Sequence, residues 1–359
     1  MKIVIIGGGL IGLLTAYELA RGGATVQLLE RGRIGRESSW AGGGILSPLY
    51  PWRYPDGVTV LARWSQAVYP PLAAELCAAG GVDPEWTGSG MLMLDASDRA
   101  AAEAWARRFD YRLEVLAGET LRRCEPALAA TAAPALWMAG VAQVRNPRLV
   151  QAAHRSLLRQ GVAVEEECAV GDLLLRAGRV AGVRTSRGEF AADAVVLAAG
   201  AWSGELLAGQ GIRPAIRPVR GQMLLFQGAP GTLSRIILGA RHYIIPRRDG
   251  RVLVGSTMEE VGFDASTTAA AREELREAAF RLVPALADFA LERHWAGLRP
   301  GSPSGVPYIG EHPQLTGLFI NSGHFRNGVV MAPASARLLA DLMLGREPIL
   351  DPAPYAPQA

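Results

Sequence analysis

The chain opens with a short apolar segment that leads directly into a glycine-rich turn. Lys2–Ile6 is apolar at almost every position, which is typical of a strand buried on both faces of a parallel sheet. Leu10–Arg21 then has helical spacing of its apolar residues, and Thr25–Leu29 forms a second apolar run. A strand, a helix and a second strand in this order predict the β-α-β unit that begins a doubly wound α/β fold.

The same patterns predict the remaining elements. Apolar runs bounded by turn residues indicate strands at 90–94, 162–168, 172–176, 180–185, 194–198, 221–226, 236–238, 243–246, 252–255 and 318–321. Helical spacing indicates helices at 51–81 (interrupted at Pro70 and Pro71), 97–109, 118–130, 147–160, 267–282 and 328–344.

The order of these elements predicts two domains threaded through each other, in agreement with a chain too long for one core. The first is a Rossmann-like, doubly wound α/β domain. The second is an α+β substrate-binding domain on a mostly antiparallel sheet. We assign residues 1–45, 146–210 and 291–348 to the first domain, 46–145 and 211–290 to the second, and 349–359 to a Pro-rich C-terminal tail that we expect to be disordered.

Composition and charge exclude several classes of protein. The 359 residues are 49% hydrophobic and 20% charged, an ordinary globular balance. The net charge is only +3, and no run of Lys or Arg builds the basic surface that nucleic acid requires. Lys2 is the only lysine and opens the first strand, so a site that depends on a Schiff-base lysine is excluded.

The cysteines also limit the possibilities. Cys77, Cys124 and Cys168 are far apart and lack CxxC spacing, which argues against a disulfide framework and a metal site. No signal peptide precedes the first strand, and no apolar stretch approaches the ~18 residues of a membrane span. We therefore expect a cytoplasmic protein without stable membrane insertion. The sequence leaves the oligomeric state open, a homo-oligomer included.

The glycine-rich turn carries the spacing Gly7-x-Gly9-x-x-Gly12. In such a turn the first glycine permits the bend, the second lets the backbone approach a pyrophosphate, and the third lets the helix pack on the strand. The helix N-terminus offers free N–H groups to the phosphates. Glu30 follows the second strand, where an acid binds a ribose diol. These residues predict a dinucleotide site without deciding between NAD and FAD.

Two further segments favour the longer dinucleotide, FAD. Residues 38–44 (SSWAGGG) combine hydroxyl groups with bare backbone, which suits a second wall along the phosphates. Residues 323–328 (GHFRNG) precede the last predicted helix, where amide donors can meet a flavin carbonyl.

Several longer motifs carry a family resemblance over nearly the whole chain. They are IIGGGLIG, the segment 38–45, VVLAAGAWSG (195–204), PVRGQ (218–222), YIIPRRDGRVLVGSTMEEVGF (243–263), WAGLRPGSPSGVPYIG (295–310) and GHFRNGVVMAP (323–333). With these motifs the chain resembles the D-amino-acid oxidase family of FAD-dependent oxidoreductases, and within it the bacterial glycine oxidases linked to thiamine (thiazole) biosynthesis.

The resemblance implies a set of FAD contacts, and together with the glycine turn these are Gly7, Gly9, Leu10, Ile11, Gly12, Glu30, Arg31, Ser38, Ser39, Gly43, Gly44, Ile45, Val170, His324, Phe325, Arg326, Asn327, Gly328, Val329 and Val330. Related sarcosine oxidases tether the flavin through a cysteine late in the chain. No cysteine follows Cys168 here, so we expect FAD to be bound non-covalently.

The resemblance also implies substrate-side residues. Arg299 matches the arginine that pairs with the substrate carboxylate, and Arg326, Tyr243 and Met258 match further substrate positions. The residue type agrees, because the planar fork of arginine suits bidentate recognition of a carboxylate. Arg299 also stands between Leu298 and Pro300, in a segment too apolar for a solvated face.

The implied reaction is oxidative deamination of glycine or another small amino acid or amine. The amine gives hydride to the flavin, the imine is hydrolysed to an oxo acid and ammonia or supplied to thiazole synthesis, and dioxygen is reduced to hydrogen peroxide. Segment 45–54 (ILSPLYPWRY) is bulky and aromatic, which leaves another small or cyclic amine open as substrate. A D-amino-acid dehydrogenase that reduces a quinone, an inactive flavin-binding subunit and an NAD-linked dehydrogenase are the alternatives.

Overall fold

The computed structural model describes residues 1–94, 97–130, 133–239 and 241–357. Residues 95–96, 131–132 and 240 of the predicted second domain and 358–359 of the predicted tail lie outside the described residues. The strands are β1 (Lys2–Ile6), β2 (Thr25–Leu29), β3 (Thr87–Gly88), β4 (Met91–Met93), β5 (Glu114–Leu116), β6 (Ala135–Met138), β7 (Ala142–Gln143), β8 (Ala163–Glu165), β9 (Val170–Arg176), β10 (Arg179–Thr185), β11 (Gly188–Ala191), β12 (Ala194–Leu197), β13 (Arg217–Gln227), β14 (Ile236–Gly239), β15 (His242–Pro246), β16 (Arg251–Gly255), β17 (Ala290–Gly301), β18 (Tyr308–Glu311) and β19 (Leu318–Ser322).

The helices fall between these strands. The α-helices are α1 (Leu10–Arg21), α2 (Ser38–Ala41), α3 (Asp56–Gly80), α4 (Arg99–Phe109), α5 (Gly118–Cys124), α6 (Asn146–Arg159), α7 (Ala269–Leu282) and α8 (Gly328–Met343). Short 3-10 helices lie at Pro51–Arg53, Gly200–Trp202, Ala208–Gln210, Pro284–Asp288, Phe325–Asn327 and Ala353–Tyr355.

The first sheet has the strand order β18-β19-β12-β1-β2-β8. It is parallel except at β18, and β1 lies between β12 and β2 at its centre. Ile3 and Ile5 pack into the core that also includes α1 and α8, whereas Val4 and Ile6 pack on the opposite face against residues of β9 and β10. Both faces of β1 are therefore buried, which explains its unbroken apolar run and confirms the predicted α/β fold.

The second sheet has the order β17-β13-β16-β15-β14-β4-β6-β5. Its neighbours are antiparallel except for β4 and β14. The long strand β17 pairs with β13 along its whole length, so residues 290–301 belong to this sheet although the predicted boundary placed 291–348 in the first domain. The division into two domains stays a prediction.

Helix α3 continues through its two prolines. The predicted interruption at Pro70 and Pro71 is wrong, since Asp56–Gly80 is one helix of 25 residues. The preceding Tyr69 is fully buried, and its hydroxyl donates a hydrogen bond to the carbonyl oxygen of Val329. Packing against α6 and α8 therefore prevails over the local cost of proline in a helix.

Helix α5 is shorter than predicted. It ends at Cys124 instead of continuing to residue 130. Pro126 disfavours helical backbone at Glu125, which is extended with φ −143° and ψ 95°. The buried Glu125 carboxylate accepts hydrogen bonds from the amides of Ala127, Ser234 and Arg235, so tertiary contacts fix the non-helical path.

The C-terminal segment packs on helix α3. Tyr355 is 2% exposed, and its hydroxyl donates to the carbonyl oxygen of Gly57 at 2.9 Å. The expected disorder is therefore wrong for 351–357, because burial of one aromatic ring holds the segment on α3. Within the described residues, no helix has both the length and the apolar character needed to cross a membrane.

Candidate active site

A cavity of about 440 Å³ lies where the two sheets meet. Residues at the carboxyl ends of β1, β2 and β12 line one part, and residues of β13, β15 and β17 line another. Doubly wound sheets bind their ligands at the carboxyl ends of the parallel strands. The cavity therefore joins the predicted nucleotide turn to the predicted substrate residues.

The glycine turn between β1 and α1 leaves no room for side chains. Gly7 has φ +112°, and a Cβ there would lie 2.4 Å from the carbonyl oxygen of Ala198. A Cβ on Gly12 would lie 2.0 Å from the carbonyl oxygen of Gly7. Gly9 precedes the first residue of α1, and Gly9, Leu10 and Ile11 all line the cavity. The turn thus has the close backbone packing that a pyrophosphate site requires.

Two side chains tie this turn to its surroundings. The Glu30 carboxylate accepts from the amide of Gly8 at 2.7 Å and from that of Gly32 at 2.9 Å. The Ser39 hydroxyl accepts from the amide of Leu10 at 2.9 Å. Glu30 is consequently fixed at the end of β2, where a ribose would lie.

An arginine stacks on a tryptophan at the same end of the cavity. The guanidinium carbon of Arg31 lies 3.7 Å from the centre of a Trp202 ring, and both residues line the cavity. Arg31 also bonds to Glu37 at 3.2 Å. The sequence predicted Arg31 as a contact, whereas Trp202 was missed although it belongs to the motif VVLAAGAWSG.

The small residues after α2 form a second wall. Gly44 has φ +79°, and a Cβ there would lie 2.0 Å from the carbonyl oxygen of Val144. Asn146 lies beside this wall, 1% exposed, and neither polar atom of its side chain has a partner. Asn146 is not among the residues that line the cavity, so its amide lies behind this wall, against Gly42 and Gly44.

The turn before α8 also presents unpaired groups. His324 is 1% exposed, its Nε2 lies 3.0 Å from the Ser335 hydroxyl, and its Nδ1 has no partner. Burial lowers the pKa of His324 to about 3, so the ring is neutral. The side-chain amide nitrogen of the neighbouring Asn327 is unpaired as well. The glycine turn and the turn before α8 therefore both line the cavity, as an extended dinucleotide requires.

Arg299 lies on β17 and projects into the substrate end. Its Nη1 donates to the carbonyl oxygens of Arg220 and Thr257, each at 3.2 Å, and its Nη2 donates to the Ser256 hydroxyl at 2.7 Å. A Cβ on Gly221 would lie 2.0 Å from Nη2, so the guanidinium occupies space that only glycine leaves open. Three neutral acceptors hold the group and leave some of its N–H donors unused.

No carboxylate among the described residues pairs with Arg299 or with Arg326, which also lines the cavity. Burial lowers the pKa of Arg299, Tyr243 partly offsets this by raising it, and the positive charge of Arg326 lowers it further. Two neighbouring guanidinium groups without a protein counter-ion constitute an anion site.

Tyr243 and Met258 have different surroundings. Tyr243 is buried, lines the cavity and donates to the Met223 sulfur at 3.3 Å. Met258 is 61% exposed and lies outside the cavity lining. The structure therefore brings Tyr243 together with the arginines but does not bring the Met258 side chain to them.

Most of the predicted cofactor residues line the cavity. Those that do are Gly7, Gly9, Leu10, Ile11, Glu30, Arg31, Ser38, Ser39, Gly43, Gly44, Ile45, Val170, His324, Phe325, Arg326, Gly328 and Val329. Gly12, Asn327 and Val330 lie behind the wall. The sequence missed Ser256 and Gly221, although both stand in motifs of the family resemblance.

The fold and the cavity together define a dinucleotide-dependent enzyme. The family model described as FAD dependent oxidoreductase matches residues 2–342. The chain belongs to this family, which confirms the predicted resemblance and FAD as the cofactor.

Individual relatives match over nearly their full length. A glycine oxidase from Pseudomonas aeruginosa is 52% identical over 99% of this chain and 98% of that protein. A glycine oxidase from Pseudomonas putida is 50% identical over 99% of this chain and 98% of that protein. The crystal structure of glycine oxidase from Geobacillus kaustophilus superposes with a TM-score of 0.95 at 31% identity, covering 99% of this chain and 98% of that one.

Proposed function

We propose that this enzyme oxidises glycine, or another small amino acid, with FAD and dioxygen and releases an oxo acid, ammonia and hydrogen peroxide. Supply of the imine to thiazole synthesis is part of the same proposal and rests on the family resemblance. The observation that carries the proposal is the pair Arg299 and Arg326, the second of which lies in the turn before α8. The likeness to glycine oxidases over 99% of the chain supports it.

The residues of this chain bind and orient the substrate. Arg299 would hold the carboxylate through the N–H groups that Arg220, Ser256 and Thr257 leave free. Arg326 adds a second positive charge, and two attachments fix the direction of the α-carbon. FAD, when bound, supplies the acceptor for the hydride of the substrate.

The residues that would hold FAD are the glycine turn, Glu30, the wall 42–44 and the turn before α8. Their bare backbone suits phosphates, and the unpaired amide of Asn146 lies beside them. His324 is neutral and a weak base because of its low pKa of about 3, so it serves as a hydrogen-bonding group and not as a proton acceptor.

We further propose that FAD is bound without a covalent link and that the enzyme acts in the cytoplasm. Cys168 lines the cavity at the nucleotide end, away from Arg299, and no cysteine follows it in the sequence. Acid denaturation is expected to release all of the yellow colour from the protein. Colour that stays with the precipitate would contradict non-covalent binding.

A peroxide-coupled assay tests the reaction. Purified protein in air-saturated buffer is offered glycine, sarcosine, D-alanine and D-proline, and peroxide formation is measured for each. We expect glycine or one of these small amino acids to give peroxide. Dye reduction without peroxide would indicate a dehydrogenase that passes electrons to a quinone. Failure of every substrate to bleach the flavin anaerobically would indicate an inactive flavin-binding protein.

A further inference from the structure

The acceptors around Arg299 come from two segments that a partly buried ion pair joins. One segment is β13, which contributes the carbonyl oxygen of Arg220. The other is the loop after β16, which contributes the Ser256 hydroxyl and the Thr257 carbonyl oxygen. The position of Arg299 therefore depends on how this loop lies against β13.

Arg220 and Glu259 hold the loop on the strand. The Arg220 side chain is 5% exposed, and its Nη2 donates to Glu259 Oε2 at 2.6 Å. Their backbones also exchange hydrogen bonds, from Arg220 N to Glu259 O at 2.8 Å and from Glu259 N to Arg220 O at 3.0 Å. The carbonyl oxygen that accepts from Glu259 is the same one that accepts from Arg299.

The second carboxylate oxygen of Glu259 fixes the residue that carries another acceptor. Glu259 Oε1 accepts from the Thr257 hydroxyl at 2.5 Å and from the Gln222 side-chain amide at 2.9 Å. The Thr257 hydroxyl in turn accepts from the backbone amide of Gln222 at 2.9 Å. Hydrogen bonds from Arg220, Thr257 and Gln222 lower the pKa of Glu259 in spite of its burial, so the carboxylate is charged.

We propose that Glu259 is a positioning residue for substrate recognition, which acts by holding Arg220 and Thr257 so that their carbonyl oxygens orient Arg299. Glu259 lies outside the cavity lining and does not contact the substrate itself. The inference deepens the proposed function, since it rests on Arg299 as the carboxylate ligand.

The test is the isosteric variant Glu259→Gln in the FAD-bound protein. In either orientation of the glutamine amide, its NH₂ group faces a donor, Arg220 Nη2 or Gln222 Nε2. We expect acetate, a carboxylate without an amine, to bind ~10- to 100-fold more weakly, because a small displacement of an orienting group costs this much. Acetate binding is measured by the change in flavin absorbance.

Separate measurement of KM and kcat distinguishes a positioning role of Glu259 from a general loss of structure. We expect the KM for glycine to rise with the acetate Kd, while kcat changes by less than about threefold, since the lost interaction is one of binding. The matched control is Glu260→Gln, the next residue on the loop, which is 67% exposed and pairs with the exposed Arg217. We expect it to leave acetate binding and both constants unchanged.

Each outcome decides the proposal. Acetate affinity within about twofold of wild type in a folded, yellow Glu259→Gln protein overturns it. If Glu259→Gln does not fold, Thr257→Val removes the hydroxyl but keeps the carbonyl, and unchanged acetate affinity in that variant overturns the proposal as well.

If wild type binds no acetate, the Arg299 site and this inference both fail. If wild type binds acetate but oxidises no glycine, only the proposed function fails.

Discussion

The nucleotide end of the cavity is lined largely by closely packed backbone, whereas the substrate end presents charged side chains. At the nucleotide end, Gly7, Gly12 and Gly44 pack so closely on neighbouring carbonyl oxygens that a Cβ on any of them would lie within 2.4 Å of one. At the substrate end, two arginines share a pocket without a counter-ion among the described residues. The difference follows from the ligands, since a bound cofactor needs a rigid cradle and a carboxylate substrate needs a charge that is free to pair.

The largest expected effect separates the two ends directly. We expect Arg299→Ala to lower kcat/KM for glycine by ~10²–10³, or ~3–4 kcal/mol, because the carboxylate loses its buried partner. The FAD content of the purified protein should stay unchanged, since the nucleotide end is untouched. Steady-state peroxide assays measure the loss. Arg217→Ala, an exposed arginine of the neighbouring strand, is the control and should retain wild-type kinetics. Equal losses of kcat/KM in Arg299→Ala and Arg217→Ala would show that Arg299 has no special role at the substrate end.

The converse change is made at the nucleotide end. We expect Gly7→Ala to lower the free energy of unfolding by ~3 kcal/mol and to reduce the FAD content of the purified protein, because the added Cβ adds steric overlap to an unfavourable φ. Thermal unfolding and the flavin absorbance per protein measure both effects. Gly23→Ala is the matched control, with φ +84° and no atom within 4 Å of the added Cβ. If both variants lose the same stability and neither loses FAD, backbone packing is not what binds the cofactor.

His324 lines the cavity and is 1% exposed, and its burial predicts a dependence of stability on pH. Its pKa is lowered from 6.5 to about 3 in the folded protein. Below pH 6.5 the unfolded chain therefore takes up a proton that the folded chain does not, so stability falls with falling pH, by ~2 kcal/mol at pH 5. His324→Gln should remove this part of the loss between pH 7 and pH 5. Denaturant unfolding of both proteins at the two pH values measures the difference, and identical pH dependence would contradict the burial argument.

The smallest expected effect tests the space around Arg299. We expect Gly221→Ala to raise the KM for glycine by ~10-fold, because the new Cβ would overlap the guanidinium and displace it. FAD content should stay unchanged. Gly209→Ala, at a position where an added Cβ meets no atom within 4 Å, serves as the control. A wild-type KM for Gly221→Ala would show that Arg299 has room to adjust.

Local patterns predicted the parts of the fold that neighbouring residues decide. The β-α-β unit and its glycine turn follow from apolar periodicity and from spacing within one short segment. The errors arose where distant contacts decide the local path. Packing on α6 and α8 keeps α3 helical through Pro70 and Pro71, the bonds of Glu125 to residues 234–235 help to end α5, and the ring of Tyr355 orders the tail.

The sequence by itself determined the dinucleotide turn, the carboxylate of Glu30 and the position of Arg299 within an otherwise apolar segment. Only the tertiary structure decided how that arginine is held, because its acceptors stand 79, 42 and 43 residues away in the chain and two of them are backbone carbonyl oxygens. It also decided that Met258 is exposed to solvent while the carbonyl oxygen of the preceding Thr257 accepts a hydrogen bond from Arg299. Every residue carries a backbone carbonyl oxygen, so the sequence does not mark the ones that accept from Arg299. Only the pairing of strands and loops shows where they lie.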